Sequence, residues 1–220
     1  FFVRTSEGEN PTRALNMGTY ATTVVFAILS LGVVYFFLPA GSVAGSTLKR
    51  FGFGIVVGIL GIGLMLTRWE LLPGLFFDTR SVLLAVAGLF LGPLPTAVAV
   101  AITGTFRIWQ GGIGTLTGVL VIVSSAGIGL LWRRYLPHRT GWWDLYLMGV
   151  AVHVAMLLAM LAMPWPMGLE TLRHISLPVL GIYPLATMLL GRLLTAQRRR
   201  RDADDEARHQ ARRLQGMLGK

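Results

Sequence analysis

The feature that most constrains this chain is a run of about 26 apolar or small residues that lies between Arg80 and Arg107. Gly92, Pro93 and Pro95 interrupt this run close to its middle. Each proline lacks a backbone N–H donor and disfavours the continuation of a helix. One helix that simply crosses a bilayer does not need this break, whereas a protein that holds an anion inside its fold can use both arginines.

The composition is that of a protein embedded in a membrane. Hydrophobic residues make up 54% of the chain and charged residues 14%, against about 45–50% and about 25% in soluble domains. Apolar runs of about 20 residues recur along the chain, and a secretory signal explains only one such run, so the protein is polytopic. The formal net charge is +10. Basic residues beside membrane spans follow the positive-inside rule, so we expect the lipid bilayer as a partner and not nucleic acid.

The hydrophobic pattern predicts an all-α membrane protein, a polytopic bundle of about seven membrane segments whose C-terminal helix extends into the cytoplasm. A polar N-terminal segment, residues 1–16, precedes a transmembrane domain over residues 17–196, and residues 197–220 form a cytoplasmic linker helix. The predicted segments are residues 17–38, 51–67, 81–91, 96–109, 113–131, 145–163 and 177–196.

Glycine and proline predict how these segments connect and pack. Residues 69–80 are predicted to form a loop, because a Pro-Gly dipeptide lies within them. Residues 170–174 are predicted to be a short amphipathic piece, with Pro178 at the start of the last helix. Gly54 and Gly58 in the second segment predict that another helix approaches closely there.

Basic clusters predict the orientation of the segments. These clusters lie at residues 49–50, 133–139 and 198–201. If all three face the cytoplasm, the chain crosses the membrane an odd number of times between Arg68 and Arg133. A split at Gly92 gives three crossings and satisfies this rule. An unbroken helix gives two crossings, six segments in total, and one basic cluster on the outside.

The split brings several polar groups together at the outer side. Arg80 and Arg107 then lie at similar depth on neighbouring helices. A turn at residues 111–112 places the N-terminus of the next helix beside them, where free backbone N–H groups and the helix dipole favour an anion. Thr115 and Thr117 add hydroxyls, and arginine is suited to bidentate binding of carboxylates. The predicted ligand-binding residues are Asp78, Arg80, Arg107, Trp109, Gly111, Gly112 and Thr115.

Other interpretations of these residues stay open. Arg80 and Arg107 can also be interfacial residues whose stems lie along the membrane. Asp78 either orients an arginine or is an ordinary loop acid, and Trp109 either lines the site or belongs to an interfacial aromatic belt. His153, in the middle of a span, is either a functional group or a neutral histidine that is hydrogen-bonded within the bundle.

Motifs of catalysis are absent from the sequence. It contains no Gly-x-Ser-x-Gly, no His-Glu-x-x-His and no P-loop. The sequence has no cysteine, which removes thiol catalysis and thiolate metal ligands. We therefore expect no enzyme in this segment, no cofactor and no metal site.

The last residues, 197–220, keep the spacing of a helix. They are either a solvated helix end or a coiled-coil connector, through which we expect a homodimer. The chain begins with Phe1 and ends at Lys220 in mid-helix. We expect it to be part of a longer protein in which an effector domain follows.

Several short motifs follow one another between residue 71 and residue 134. They are Asp78-x-Arg80, residues 87–93, Arg107, Gly111-Gly112-x-Gly114, Gly118, and Gly127-x-Gly129 before Arg133. In their order and spacing together, these motifs make the stretch resemble the LytS-YhcK type five-transmembrane receptor domain, and the resemblance covers about residues 45–196. A cysteine that some members have a few positions after the double glycine is not kept, and Gly118 lies about there.

The resemblance implies a ligand-sensing input domain of a bacterial sensor histidine kinase or of a cyclic-di-GMP enzyme with a GGDEF domain. It implies a multi-pass protein of the bacterial cytoplasmic (inner) membrane that binds a small anionic metabolite, such as a pyruvate-like carboxylate. Arg80 and Arg107 match positions implicated in ligand binding in this family. The break at Gly92 and Pro93 also resembles, distantly, the substrate-binding subunits of energy-coupling-factor transporters. A transport subunit is therefore the alternative function, and an anchor that only dimerises an effector is a third.

Overall fold

The structure is a computed structural model that describes residues 46–66, 69–72, 75–77, 79–136, 140–164 and 167–218. Within these ranges the chain forms six α-helices, a two-stranded β-hairpin and one short 3-10 helix. The elements are α1 Thr47–Leu66, β1 Trp69–Leu72, β2 Leu75–Phe77, α2 Arg80–Leu91, α3 Pro93–Gln110, α4 Thr115–Tyr135, α5 Trp142–Ala159, the 3-10 helix Met160–Ala162 and α6 Met167–Leu218.

Four helices in the described ranges are long and apolar enough to cross a membrane: α1, α4, α5 with its 3-10 turn, and the part of α6 from Val179 onward. The helix α2 is apolar but has 12 residues, which rise only about 18 Å against a hydrocarbon core of about 30 Å. The first predicted segment, residues 17–38, and residues 1–16 lie outside the described residues. The multi-pass helical class is confirmed, and the count of about seven segments stays a prediction.

The predicted break in the long apolar run is present. The helix α2 ends at Leu91, Gly92 has a φ of +87°, and α3 begins at once with Pro93. This arm was predicted to begin at residue 96, but proline fits the first turn of a helix, where its missing N–H has no partner to lose. Thr96 donates from its N–H and from its hydroxyl to the carbonyl of Gly92, at 3.3 and 2.7 Å, and this closes the turn.

The short helix α2 is the centre of the bundle. Every residue from Ser81 to Leu91 is buried, as expected for a helix that is apolar on all sides. Its backbone contacts the backbone of α4 directly, because Gly88 and Gly129 at the contact have no side chains. A Cβ at Gly129 would lie 2.8 Å from the carbonyl carbon of Ala85, and one at Gly88 would lie 2.8 Å from the carbonyl oxygen of Ala126.

The described residues 69–72 and 75–77 are strands and not part of the loop that the sequence predicts. Trp69–Leu72 and Leu75–Phe77 pair as antiparallel strands, with Trp69 opposite Phe77 and Leu72 opposite Leu75. Aromatic residues favour strands, and a Pro-Gly dipeptide between two apolar runs favours a reverse turn. The prediction weighed the dipeptide and overlooked the residues on either side of it. This hairpin is the one departure from an all-α fold among the described residues.

The last membrane helix is longer than the sequence predicted. The helix α6 runs without interruption from Met167 to Leu218, 52 residues, or about 78 Å. The separate piece at residues 170–174 is therefore wrong, and Pro178 lies inside the helix instead of at its start. Membrane helices tolerate an internal proline, because neighbouring groups satisfy the carbonyl that it leaves. The helical spacing predicted for residues 197–218 is confirmed.

Glycine-mediated packing predicted for the second segment is also present. A Cβ at Gly54 would lie 2.7 Å from the carbonyl oxygen of Pro95, and one at Gly58 would lie 2.8 Å from Ile102. The residue numbers of the contacting pairs increase together along both helices, so α1 and α3 run in the same direction. By the same test α2 and α4 are parallel, because Ala85 meets Gly129 whereas residues 89 and 90 meet residue 133.

These directions define two ends of the bundle. The Arg107 end contains the end of α1, the start of α2, the end of α3 and the start of α4. The Arg133 end contains Lys49, Arg50, the Gly92 turn and Arg133. The helix α6 reaches the Arg133 end as well, because Arg198 contacts Phe90 there. The described members of all three basic clusters thus lie at one end, which is the arrangement that the charge rule requires.

Candidate functional site

Arg80 and Arg107 lie at the same end of the bundle. Arg80 is the first residue of α2 and Arg107 lies in the last turn of α3. Arg80 is 12 residues before Gly92 and Arg107 is 15 residues after it, which gives rises of about 18 Å and about 22 Å. Both side chains are half-buried. The Cα atoms of the two arginines therefore lie at similar heights on helices joined by one turn, and the role of these arginines in binding stays a prediction.

The side chain of Arg107 lies across the first turn of α4. A Cβ at Gly118 would be 2.9 Å from Cδ of Arg107, and one at Gly114 would be 3.2 Å from its Nη2. Nη1 donates a hydrogen bond to Oε1 of Gln110 at 3.1 Å. Two glycines one helical turn apart therefore form a bed for the arginine, and these contacts fix the direction of the guanidinium.

The turn between α3 and α4 depends on two glycines. Gly111 has a φ of +66° and Gly112 a φ of +91°, in the region that L-residues with a side chain rarely adopt. The N–H and the hydroxyl of Thr115 both donate to the carbonyl of Gly112, at 3.1 and 2.8 Å, and the N–H of Gly118 donates to Gly114. The N–H and the hydroxyl of Thr115, which were expected to be free for an anion, are thus already used, so binding at this turn depends more on other side chains.

Thr117 supplies a polar group that is not used in this way. It is 4% exposed, and its hydroxyl has no hydrogen-bond partner. Residues 117 and 118 lie three and four positions after residue 114, so all three are on the same face of α4 and its first turn. This is the face that the side chain of Arg107 contacts. A buried hydroxyl without a partner is unusual and calls for an explanation. A ligand oxygen beside Arg107 would supply one.

The predicted site also includes Asp78 and Trp109. Asp78 lies outside the described residues. Trp109 is 78% exposed and its ring contacts Phe106, with centroids 5.6 Å apart. This exposure fits a residue of an interfacial aromatic belt, and the role of Trp109 in ligand binding stays a prediction.

His153 is fully buried and bonded on both ring nitrogens. Nδ1 lies 2.7 Å from the carbonyl oxygen of Gly149, and Nε2 lies 3.3 Å from Oγ of Ser81. A carbonyl only accepts, so Nδ1 carries the proton and Nε2 accepts from the hydroxyl of Ser81. The ring also stacks on Tyr183, at 5.1 Å. The geometry favours the structural interpretation of His153, as a group that ties α2 to α5 and α6.

The contact between Ser81 and His153 joins residues that are 72 positions apart, and no spacing in the sequence predicts it. A serine beside an arginine at the start of an apolar helix was the available signal. Arg133 and Arg198 were counted only as basic-cluster members, although both contact the end of α2. No group of three or more histidine, cysteine or acidic side chains that could hold a metal occurs among the described residues.

A multi-pass helical bundle, with two half-buried arginines at one end and a long exposed helix leaving the other, has the architecture of a membrane receptor domain. The chain matches the family model described as 5TMR of 5TMR-LYT over residues 34–197, which is more than half of its length. It therefore belongs to the LytS-YhcK type five-transmembrane receptor family. As such a domain it is a sensor and is not itself catalytic. Searches of curated proteins and of solved structures found no match.

Proposed function

We propose that this domain binds a small carboxylate at the Arg107 end of the bundle and passes the signal along α6 to an effector. The proposal rests on one observation above all. The guanidinium of Arg107 is held on the glycine bed of α4, on the same face as the buried, unpartnered hydroxyl of Thr117. A carboxylate can accept two hydrogen bonds from a guanidinium and another from a hydroxyl.

Arg80 adds a second positive charge at nearly the same height, and it begins the buried helix α2. A ligand held by both arginines would bring the end of α3 towards the start of α2. Such a ligand shifts an equilibrium between two packings only by its difference in affinity for them. Because α2 is enclosed by other helices, a movement of its first turn is passed to α4 and α6 instead of being lost in lipid.

The basic clusters at the Arg133 end support an orientation with that end in the cytoplasm of a bacterial inner membrane. The carboxylate would then enter from outside. The exposed part of α6 would lead to a histidine kinase or a diguanylate cyclase domain and pair with a second copy as a coiled coil. Alanine recurs at positions 203, 207 and 211, four residues apart each time and not in the alternating three-and-four spacing of a coiled-coil seam, so we expect a weak dimer.

The binding step is tested with the 220-residue chain in detergent, by calorimetric titration of pyruvate, with acetate and lactate for comparison. We expect Arg107→Ala and Arg80→Ala each to weaken binding about tenfold to a hundredfold, because a hydrogen bond to a charged group contributes about 1.5–3 kcal/mol. Arg134→Ala is the matched control, since Arg134 is exposed at the opposite end. If both arginine variants bind pyruvate as the control does, the site is wrong.

An experiment with the same chain in sealed vesicles distinguishes a sensor from a transporter. A sensor binds labelled pyruvate at a fixed ratio per chain, with no accumulation inside. Accumulation inside vesicles that contain this chain alone would overturn the sensor proposal in favour of the transport alternative. The absence of binding of any small carboxylate would favour an anchor that only dimerises an effector.

A further inference from the structure

The C-terminus of α2 is held by two arginines from different helices. Nη1 of Arg133, on α4, donates to the carbonyl oxygens of Leu89 and Phe90 at 3.0 and 3.2 Å. Nη2 of Arg198, on α6, donates to the same Phe90 carbonyl. The Cζ of Arg198 also lies 4.8 Å from the centroid of the Phe90 ring. Two cations therefore share one backbone acceptor, and that acceptor has two lone pairs to offer.

The C-terminus of a helix favours positively charged hydrogen-bond donors. The last four carbonyls of a helix have no partner within it, and the helix dipole places about half a negative charge at that end. The end of α2 is buried, with Phe90 among the least exposed large side chains of the core. Backbone groups inside a membrane protein must find partners within the protein. The two arginines provide donors and positive charge at the place where both are needed.

Arg198 occupies a boundary on α6. Leu190 and Leu194, two turns and one turn before it, belong to the same core cluster as the α2 side chains. Arg198 and residues 199–210, which follow it, are all exposed, and Arg198 is the one whose guanidinium contacts α2. Arg198 is thus the point at which the face of α6 that touches the bundle passes into the helix that leaves it.

We propose that Arg133 and Arg198 form a clamp that couples the buried helix α2 to the output helix α6. The clamp is a positioning device: it contacts no ligand, and it lies at the end of α2 opposite to Arg80. A displacement of α2 along its axis, started at Arg80, moves the Phe90 carbonyl relative to both guanidinium groups and so pulls or releases α6 at residue 198. The signalling role rests on the proposed function, whereas the mechanical link between the two helices does not.

Amide hydrogen exchange of the full 220-residue chain in nanodiscs tests the mechanical link. We expect Arg198→Gln to raise the exchange rate of the amides of residues 88–91 and 194–198 about tenfold, because it removes a charged donor from a buried acceptor. Arg199→Gln is the matched control, since Arg199 is adjacent and exposed, and it leaves these rates unchanged. Equal rates in the two variants overturn the clamp.

A conservative variant keeps the test independent of misfolding. Lysine retains the charge that favours a helix C-terminus but lacks the flat, forked donor of arginine. Arg198→Lys therefore raises exchange by less than Arg198→Gln does. A lysine variant that exchanges as fast as the glutamine variant shows that the charge does not act at this position, and that result also counts against the clamp.

Signal transfer is read from a spin label on the output helix. The chain has no cysteine, so Ala203→Cys gives a single labelling site on an exposed turn. We expect pyruvate to change the label's mobility in the wild-type background and in Arg199→Gln, but not in Arg198→Gln, while calorimetry shows unchanged pyruvate binding in all three. A label response that survives in Arg198→Gln overturns the coupling. Failure of the wild type to bind pyruvate, lactate or acetate overturns the proposed function and leaves the exchange result standing.

Discussion

The contact between α2 and α4 yields a sharp prediction about Gly129. A Cβ at this position would overlap the carbonyl group of Ala85 and lie 2.8 Å from its carbon, whereas ordinary contacts begin at 3.4 Å. The obstacle is backbone inside a buried helix, which cannot rotate away as a side chain can. We therefore expect Gly129→Ala to force α2 and α4 apart by roughly half an ångström or more, at a cost of about 1–3 kcal/mol for overpacking.

A second glycine on the same helix provides the control. A Cβ at Gly127 would meet nothing within 4 Å, so Gly127→Ala gains only the helix preference of alanine, about 0.5–1 kcal/mol. The same gain offsets part of the cost in Gly129→Ala, which leaves a net loss of about 0–2.5 kcal/mol. At about 2–4 °C per kcal/mol for a chain of this size, the melting midpoint falls by up to about 10 °C in Gly129→Ala and rises by about 1–4 °C in Gly127→Ala.

The assay is thermal unfolding of both variants in the same detergent, followed by intrinsic tryptophan fluorescence. Gly88→Ala, on the opposite side of the contact, should act in the same direction, since its Cβ would meet the Ala126 carbonyl oxygen at 2.8 Å. The double variant should cost less than the sum of the singles, because helices that are already separated accept the second methyl group. Equal midpoints for Gly129→Ala and Gly127→Ala would refute the close contact.

Three further outcomes follow from the geometry. Thr117→Val removes a buried hydroxyl that has no partner. It should raise the melting midpoint of the unliganded chain by a few degrees and weaken pyruvate binding about tenfold. A variant that raises both the melting midpoint and the affinity for pyruvate, or lowers both, would contradict a ligand role. His153→Leu leaves Ser81 without its acceptor and should cost about 1–3 kcal/mol of unfolding free energy, with pyruvate affinity changed less than twofold, measured by denaturation and calorimetry. Gly112→Ala, at a φ of +91°, should cost about 1 kcal/mol and weaken pyruvate binding by displacing Arg107; unaltered binding would show that the turn does not position the arginine.

Much of this architecture could be predicted from the sequence, because it depends on local chemistry. Gly92 and Pro93 predict the break between α2 and α3, since proline constrains the chain wherever it occurs. Gly54 and Gly58 predict a close helix contact for the same local reason. The basic clusters predict a common end of the bundle, which the contacts of Arg133 and Arg198 confirm.

Other features depend on contacts between residues that are distant along the chain. The uninterrupted course of α6 past Pro178 is decided by packing against other helices, which outweighs the local signal of proline. The partner of His153 and the bed under Arg107 could not be read from spacing, because they join α5 to α2 and α3 to α4.

The sequence by itself determined the membrane class, the receptor family, the helical break and the two arginines of the candidate site. These follow from hydrophobicity, from the backbone limits of proline and glycine, and from an ordered set of motifs. The tertiary structure decided that α2 is enclosed on every side, that Thr117 is buried without a partner, and that Arg133 and Arg198 meet at the Phe90 carbonyl. Burial and the choice of hydrogen-bond partner are properties of several helices together, and no single segment of sequence contains them.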